Sequence, residues 1–170
     1  MNVADQIAEW LYDESIAVVF GIVGAGNVSI FDAIARRGRS QIVCCHHEQA
    51  CVMAASSFYR TSGRISVAIV TTGAGSTNAV TGVAAAYMDS TPVIVISGNE
   101  ASKYLDAKTR VLGVQGYRSS DMVKAITKCA ICPPADEVMP ALRIIHDIAL
   151  KPRQGPVYCD IPKDVQNAVV

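Results

Sequence analysis

Residues 44–98 read CCHHEQACVMAASSFYRTSGRISVAIVTTGAGSTNAVTGVAAAYMDSTPVIVISG, and this stretch decides the fold. An apolar run ends at Cys45, a helical segment opens on His46-His47-Glu48-Gln49, and Ser62-Gly63 stops it. The next apolar run, Ile65 to Val70, leads into Thr71-Thr72-Gly73-Ala74-Gly75, a helix of small residues from Ser76 to Met88, and a third apolar run, Val93 to Ser97. Short apolar runs alternating with helical segments of roughly 10 to 15 residues are βαβ units, which make parallel strands. Runs that are apolar throughout, rather than alternating, imply a sheet covered on both faces.

The same alternation extends outward in both directions. Upstream, Val3, Ile7, Trp10 and Leu11 share one helical face, Ile16 to Ile22 is a strand, and Gly24-Ala25-Gly26-Asn27 is a turn. Ile30, Phe31 and Ile34 mark a second helix that closes at Gly38, and Gln41 to Cys45 is the second strand. Downstream, residues 99–118 show no period and contain Gly113 and Gly116, which predicts a long loop. Long loops are uncommon in compact domains and are usually functional. A short helix near Asp121, a strand from Ala125 to Cys132, an amphipathic helix from Glu137 to Leu150 and a strand from Val157 to Ile161 complete the chain. The expectation is one α/β domain over residues 1–170, with three αβα layers and a parallel sheet of about six strands with helices on both faces.

Composition narrows the function. Fifteen basic residues balance 15 acidic ones, and no like-charge run exceeds Arg36-Arg37, so neither a nucleic acid nor a membrane surface is an expected partner. Apolar stretches are interrupted well short of the roughly 20 residues a membrane span needs. Asp5 and Glu9 lie where a signal peptide would carry basic residues, so none is read. Of the six cysteines, Cys44, Cys45 and Cys159 lie in apolar runs and Cys51 on a helix, where the thiol acts as a small hydrophobe. Cys129 and Cys132 have metal or redox spacing but lack a second pair, and Pro133-Pro134 follows them instead of a helix. Structural cysteines and a reducing cytoplasm are the expectation, and no metal ligand set is read.

In parallel sheets, ligands bind beyond the carboxyl ends of the strands. There this chain places the Gly24–Asn27 turn, Cys45 to Glu48, Thr71 to Gly75, and the segment from Gly98 onward. Glu48 has Cys44, Cys45, Ala50, Cys51, Val52 and Met53 around it in sequence. Desolvation penalises a charged carboxylate, so Glu48 is a candidate proton-handling residue. The glycines permit three readings. They could bring a phosphate to a helix N-terminus, let a flat ring approach the backbone, or serve only as tight turns. The dinucleotide and Gly-Lys-Ser/Thr patterns are both absent.

Taken together, several motifs resemble the N-terminal, pyrimidine-binding (PYR) domain of thiamin-diphosphate enzymes, in the acetolactate synthase branch. They are His47-Glu48-Gln49-Ala50 with Tyr59-Arg60, Val70 to Asn78 with Val80-Thr81-Gly82, Ala86 to Pro92, Gly155-Pro156-Val157, and Asp160 to Gln166. The resemblance covers about residues 2–166. It implies that Glu48 is catalytic, bonding N1' of the cofactor's aminopyrimidine and promoting loss of the C2 proton. It also implies that Thr71, Ala74 and Asn78 line the pyrimidine pocket, that Gly24, Ala25 and Gly26 lie near the substrate channel and cofactor, and that the substrate is a 2-keto acid. His46 and His47 read as structural rather than catalytic.

Two departures from the family pattern stand out. Ala74 replaces a usual proline, and Tyr117-Arg118 replaces the branch's Phe-Gln in the substrate channel. An arginine there suits a more acidic or differently shaped substrate. The family holds Mg²⁺ and the diphosphate on a Gly-Asp-Gly motif in a separate PP domain, and no such motif occurs here. The resemblance therefore implies a PP domain as partner, in the same enzyme or a second subunit. Excision from a longer chain is favoured, because Ile161 to Gln166 matches the run toward a following domain. A homodimer through the PYR domain is also implied, and FAD use is left open. The readings from other classes are a flavodoxin-like nucleotide-binding module and a PYR-like dimerisation scaffold without catalysis.

Overall fold

The computed structural model describes residues 1–105 and 112–170. Its strands are β1 (Val18–Gly21), β2 (Gln41–Cys44), β3 (Val67–Val70), β4 (Ile94–Asn99), β5 (Cys129–Ile131) and β6 (Val157–Pro162). They form one sheet in the order β2-β1-β3-β4-β6-β5, and every pairing is parallel. The long helices are α1 (Val3–Asp13), α2 (Val28–Arg37), α3 (Glu48–Ser62), α4 (Ala74–Met88) and α7 (Val138–Leu150), with short α5 (Ser102–Leu105), α6 (Ser119–Met122) and α8 (Lys163–Asn167). None of the described helices is long and apolar enough to cross a membrane.

The period-two alternation of strand side chains divides the core into two. Val67, Ile69, Ile94, Ile96, Val157 and Cys159 face α1, α2 and α7, around the fully buried Ile7, Leu11, Ile34 and Leu142. Ala68, Val70, Val95 and Tyr158 face the other way, toward Cys51, Val52, Ala55, Ala79 and Val83 of α3 and α4. Each fully buried aliphatic side chain contributes roughly 1.5 to 3 kcal/mol. The central strands β3 and β4 are buried at every residue, whereas the edge strand β2 is only partly covered.

The three αβα layers match the expectation, with differences at particular elements. The fifth strand starts at Cys129 rather than Ala125, because Lys124–Ile126 forms a 3₁₀ turn and the Thr127 hydroxyl donates to Val123 O at 2.9 Å. The stretch read as one loop, 99–118, is not uniformly irregular. β4 runs on to Asn99, α5 follows, and Gly113–Gln115 is a 3₁₀ turn, while residues 106–111 lie outside the described residues. The chain also ends in the unanticipated α8, which returns to the start of the molecule, where Val3 N–H donates to Ala168 O at 3.0 Å.

Strand order reverses between β1 and β3. In an open parallel sheet this switch point opens a crevice at the carboxyl ends of the strands. The loops at that crevice contain most of the residues singled out in the sequence.

Candidate functional site

Glu48 is the first residue of α3. His47 caps the helix in extended conformation, its Nδ1 accepting the Gln49 N–H at 3.2 Å, which gives this histidine a structural task. His46 is exposed. α3 lies close against α4 because Gly82 has no side chain, since a Cβ there would stand 2.7 Å from Val52 Cβ. This approach brings the first turns of the two helices together, and Asn78 Nδ2 donates to Glu48 Oε2 at 3.0 Å. Glu48 is only 9% exposed, yet its Oε1 accepts no hydrogen bond among the described residues. A Cβ at Gly75 would lie 3.3 Å from that oxygen. Below it, burial, then a hydrogen bond with Cys45 and the Cys45 and Glu48 charges push the Cys51 thiol up to about 12, so it behaves as packing rather than as a nucleophile.

The turn after β3 is joined to the turn after β1. Gly26 N–H donates to Thr71 Oγ1 at 3.2 Å, and Gly24 lies so close to Thr71 that a Cβ would meet Oγ1 at 2.5 Å. Asn27, which sequence reasoning left as a turn residue, is fully buried and closes the first loop by accepting from Gly24 N–H at 2.8 Å and donating to Ile22 O at 3.0 Å. Ala25 and Ala74 are exposed at the rim. Gly73 has φ +67° at the entry to α4, a left-handed backbone that disfavours a side chain. Val114 and Gln115 lie against Gly73, and its carbonyl accepts the Tyr117 hydroxyl at 3.1 Å. These contacts give the glycines a role outside the three readings taken from the sequence, the close approach of one chain segment to another.

Tyr117 and Arg118, adjacent in sequence, part company. Tyr117 joins the glycine turn, and burial followed by the nearby Asp160 charge pushes its phenol up. Arg118 lines a separate cavity of about 230 Å³ with Ser102, Leu105, Cys132, Pro133, Pro134, Pro162 and Val165. The group that sequence reasoning missed is Asp160. It is fully buried on β6, and burial pushes its carboxyl up to about 6 against the pull of donors from Ser119, Asn99 and Ser120. The signal was available, because Asp160 is the one charged residue inside the apolar run Val157 to Ile161.

A doubly wound parallel sheet with a buried, half-satisfied carboxylate beside its switch point has the form of a cofactor-binding α/β domain. Residues 1–128 match the family model described as "Thiamine pyrophosphate enzyme, N-terminal TPP binding domain". The chain belongs to that family, and thiamin diphosphate is the cofactor the family implies. It is 36% identical over 168 residues to the acetolactate synthase isozyme 3 large subunit of Escherichia coli, covering 96% of this chain and 28% of that protein. It is 35% identical over 175 residues to the probable acetolactate synthase large subunit of Methanocaldococcus jannaschii, covering 100% and 28% respectively. Against the chloroplastic acetolactate synthase of Arabidopsis thaliana it is 33% identical over 170 residues, covering 96% and 24%. The chain thus spans about a quarter of the length of the curated relatives it matches. A crystal structure of benzoylformate decarboxylase from Polynucleobacter necessarius superposes on the whole chain with a TM-score of 0.88 at 21% identity, using 32% of that chain, which establishes the likeness of fold.

Proposed function

We propose that this chain is the pyrimidine-binding domain of an acetolactate synthase-like enzyme that decarboxylates or ligates 2-keto acids, with Glu48 as its catalytic residue. The observation carrying this reading is the Glu48 carboxylate, buried, with Oε2 held by Asn78 and Oε1 left without a donor among the described residues. An acceptor fixed on one side and free on the other fits a ring nitrogen that must share a proton. Bound thiamin diphosphate supplies the electron sink that lets a 2-keto acid lose carbon dioxide. Glu48 holds and returns a proton at Oε1, and Asn78 keeps the carboxyl group turned toward the ring. Thr71, Ala74 and Asn78 line the pyrimidine side, and Gly24, Ala25 and Gly26 form the neighbouring wall.

The diphosphate and its Mg²⁺ are assigned to a separate PP domain, in the same enzyme or in a second subunit. The outer face of α4 exposes Tyr87 and Met88, and Met53 of α3 is exposed as well. That apolar face suits a homodimer or a PYR–PP contact. The synthase-like relatives favour carboligation, while Tyr117 stands on the substrate wall where the branch usually has phenylalanine and Arg118, in place of its glutamine, lines the separate cavity.

The test is C2 proton–deuterium exchange of bound thiamin diphosphate in the intact enzyme, read by NMR after acid quench. Glu48→Gln is expected to slow exchange by about 10² to 10⁴ and to change cofactor affinity little, since the charged end is held elsewhere. Unchanged exchange would make Glu48 a structural residue and end this assignment. Calorimetry tests the division of the site, with the 170-residue chain alone expected to bind thiamin diphosphate weakly. A micromolar, Mg²⁺-dependent constant for the lone chain would contradict it.

A further inference from the structure

The turn after β3 and the segment 112–120 meet at the crevice although some 40 residues separate them in sequence, and a buried carboxylate holds them there. Both Asp160 oxygens accept from Asn99 Nδ2 at 3.0 Å, and Oδ2 also accepts the Ser119 N–H at 2.8 Å and the Ser120 N–H at 3.4 Å. Asn99 passes the connection on. Its Nδ2 also donates to Tyr117 O at 3.0 Å, and its Oδ1 accepts the Thr72 hydroxyl and the Glu100 N–H, each at 2.9 Å. Thr72 leads into Gly73, whose carbonyl accepts the Tyr117 hydroxyl at 3.1 Å. The links thus close a ring through Asp160, Asn99, Thr72, Gly73, Tyr117 and Ser119. Apolar fastening of the same segment is thin, since Gly113, Val114 and Gln115 are exposed. Ser119 adds one further tie, its hydroxyl donating to Ser97 Oγ at 3.2 Å on β4.

We propose that Asp160 is a positioning residue of this site: acting through Asn99 and the Ser119 amide, it seats Tyr117 against the Thr71–Gly75 turn and so shapes the substrate side of the crevice. The chemistry requires an aspartate rather than any polar residue. Donors from Asn99, Ser119 and Ser120 converge on it, and a carboxylate offers acceptors on both oxygens. An asparagine would set an N–H against one of those donors. What the seated wall faces rests on the function proposed above, whereas the seating itself does not.

The experiment is amide hydrogen exchange by mass spectrometry on the intact enzyme, comparing Asp160→Asn with the parent. Expected is exchange faster by about tenfold or more in peptides covering 71–78 and 112–122, with protection along β3 and β4 retained. In parallel, KM for the 2-keto acid is expected to rise about fivefold or more while C2 proton exchange of the bound cofactor stays within about twofold. Exchange altered in neither segment, or loosened evenly across the sheet, would overturn the proposal. If Asp160→Asn does not fold, Thr72→Val and Thr72→Ser take its place. Valine is expected to loosen both segments and serine to restore them, and equal behaviour of the two would overturn the proposal. The readings fail separately: C2 exchange insensitive to Glu48→Gln removes the proposed function and leaves the seating standing, while normal seating in Asp160→Asn removes only this inference.

Discussion

Among the described residues two buried carboxylates lie toward the carboxyl end of this sheet, and their surroundings are opposite. Glu48 opens a helix, has one side-chain donor in Asn78, and keeps Oε1 unused among the described residues. Asp160 is enclosed in a strand, with donors on both oxygens and a second layer of hydrogen bonds behind them. A buried acceptor whose oxygens are already met by donors holds its neighbours, because accepting a further partner means losing one it has. A buried acceptor left half-used has capacity for a ligand. The same functional group therefore serves as reagent in one place and as fastener in the other, according to how many donors surround it.

The comparison can be broken by experiment, and the largest effect belongs to Glu48. Glu48→Gln should remove about 10² to 10⁴ of the C2 exchange rate while moving the thermal unfolding midpoint by no more than roughly 3 °C, since Asn78 can still donate to the amide oxygen. A large fall in that midpoint would place Glu48 with Asp160 among the fasteners.

Next in size is the pH response of Asp160. Its folded-state pKa, about 6, lies above the ordinary 3.8, so the folded protein keeps a proton that the unfolded chain has released. This group's contribution to stability is therefore full below about pH 4, falls as pH rises toward 6, and is level above that, a span of about 3 kcal/mol. Urea titrations of the parent and of Asp160→Asn between pH 4 and 7 measure it. The parent should lose stability relative to the variant as pH rises, and parallel curves would show that the carboxyl is not desolvated as described.

Gly82→Ala should follow. Its Cβ would meet Val52 Cβ at 2.7 Å and Gln49 O at 3.1 Å, forcing α3 away from α4 at a cost of roughly 1 to 3 kcal/mol and stretching the Asn78–Glu48 contact. An unchanged urea midpoint together with unchanged C2 exchange would show that the helix contact does not set the carboxylate. The smallest effect is expected of Tyr117→Phe, which removes one hydrogen bond to Gly73 O and should cost about 1 kcal/mol in the same titration.

Glu48 was legible in the sequence because a charged residue between apolar segments at a strand end has few explanations. The layers were legible because β3 and β4 are apolar at nearly every position. The sheet order was not, since β4, β5 and β6 share the same apolar character and nothing local says that β6 enters between the other two. Ala125 and Ile126 look like strand residues and form a 3₁₀ turn, because local apolarity does not distinguish the two. The parting of Tyr117 and Arg118 was invisible for a related reason, as neighbours in sequence carry no sign of which side of the backbone each will take. Asn78 was reached only by resemblance, because its meeting with Glu48 depends on how closely two helices pack.

The place of β6 in the sheet also orders events during synthesis. Among the described residues β5 is an edge strand that pairs with β6 alone, and β6 follows it in the chain. A nascent chain can pair β1, β2, β3 and β4 as they emerge, but β5 has nothing to join until residues 157–162 have left the ribosome. Asp160 arrives with that same strand. The crevice is therefore completed only once β6 has been made, and a chain halted before Val157 retains Glu48 and its helix but lacks the carboxylate that organises the opposite wall.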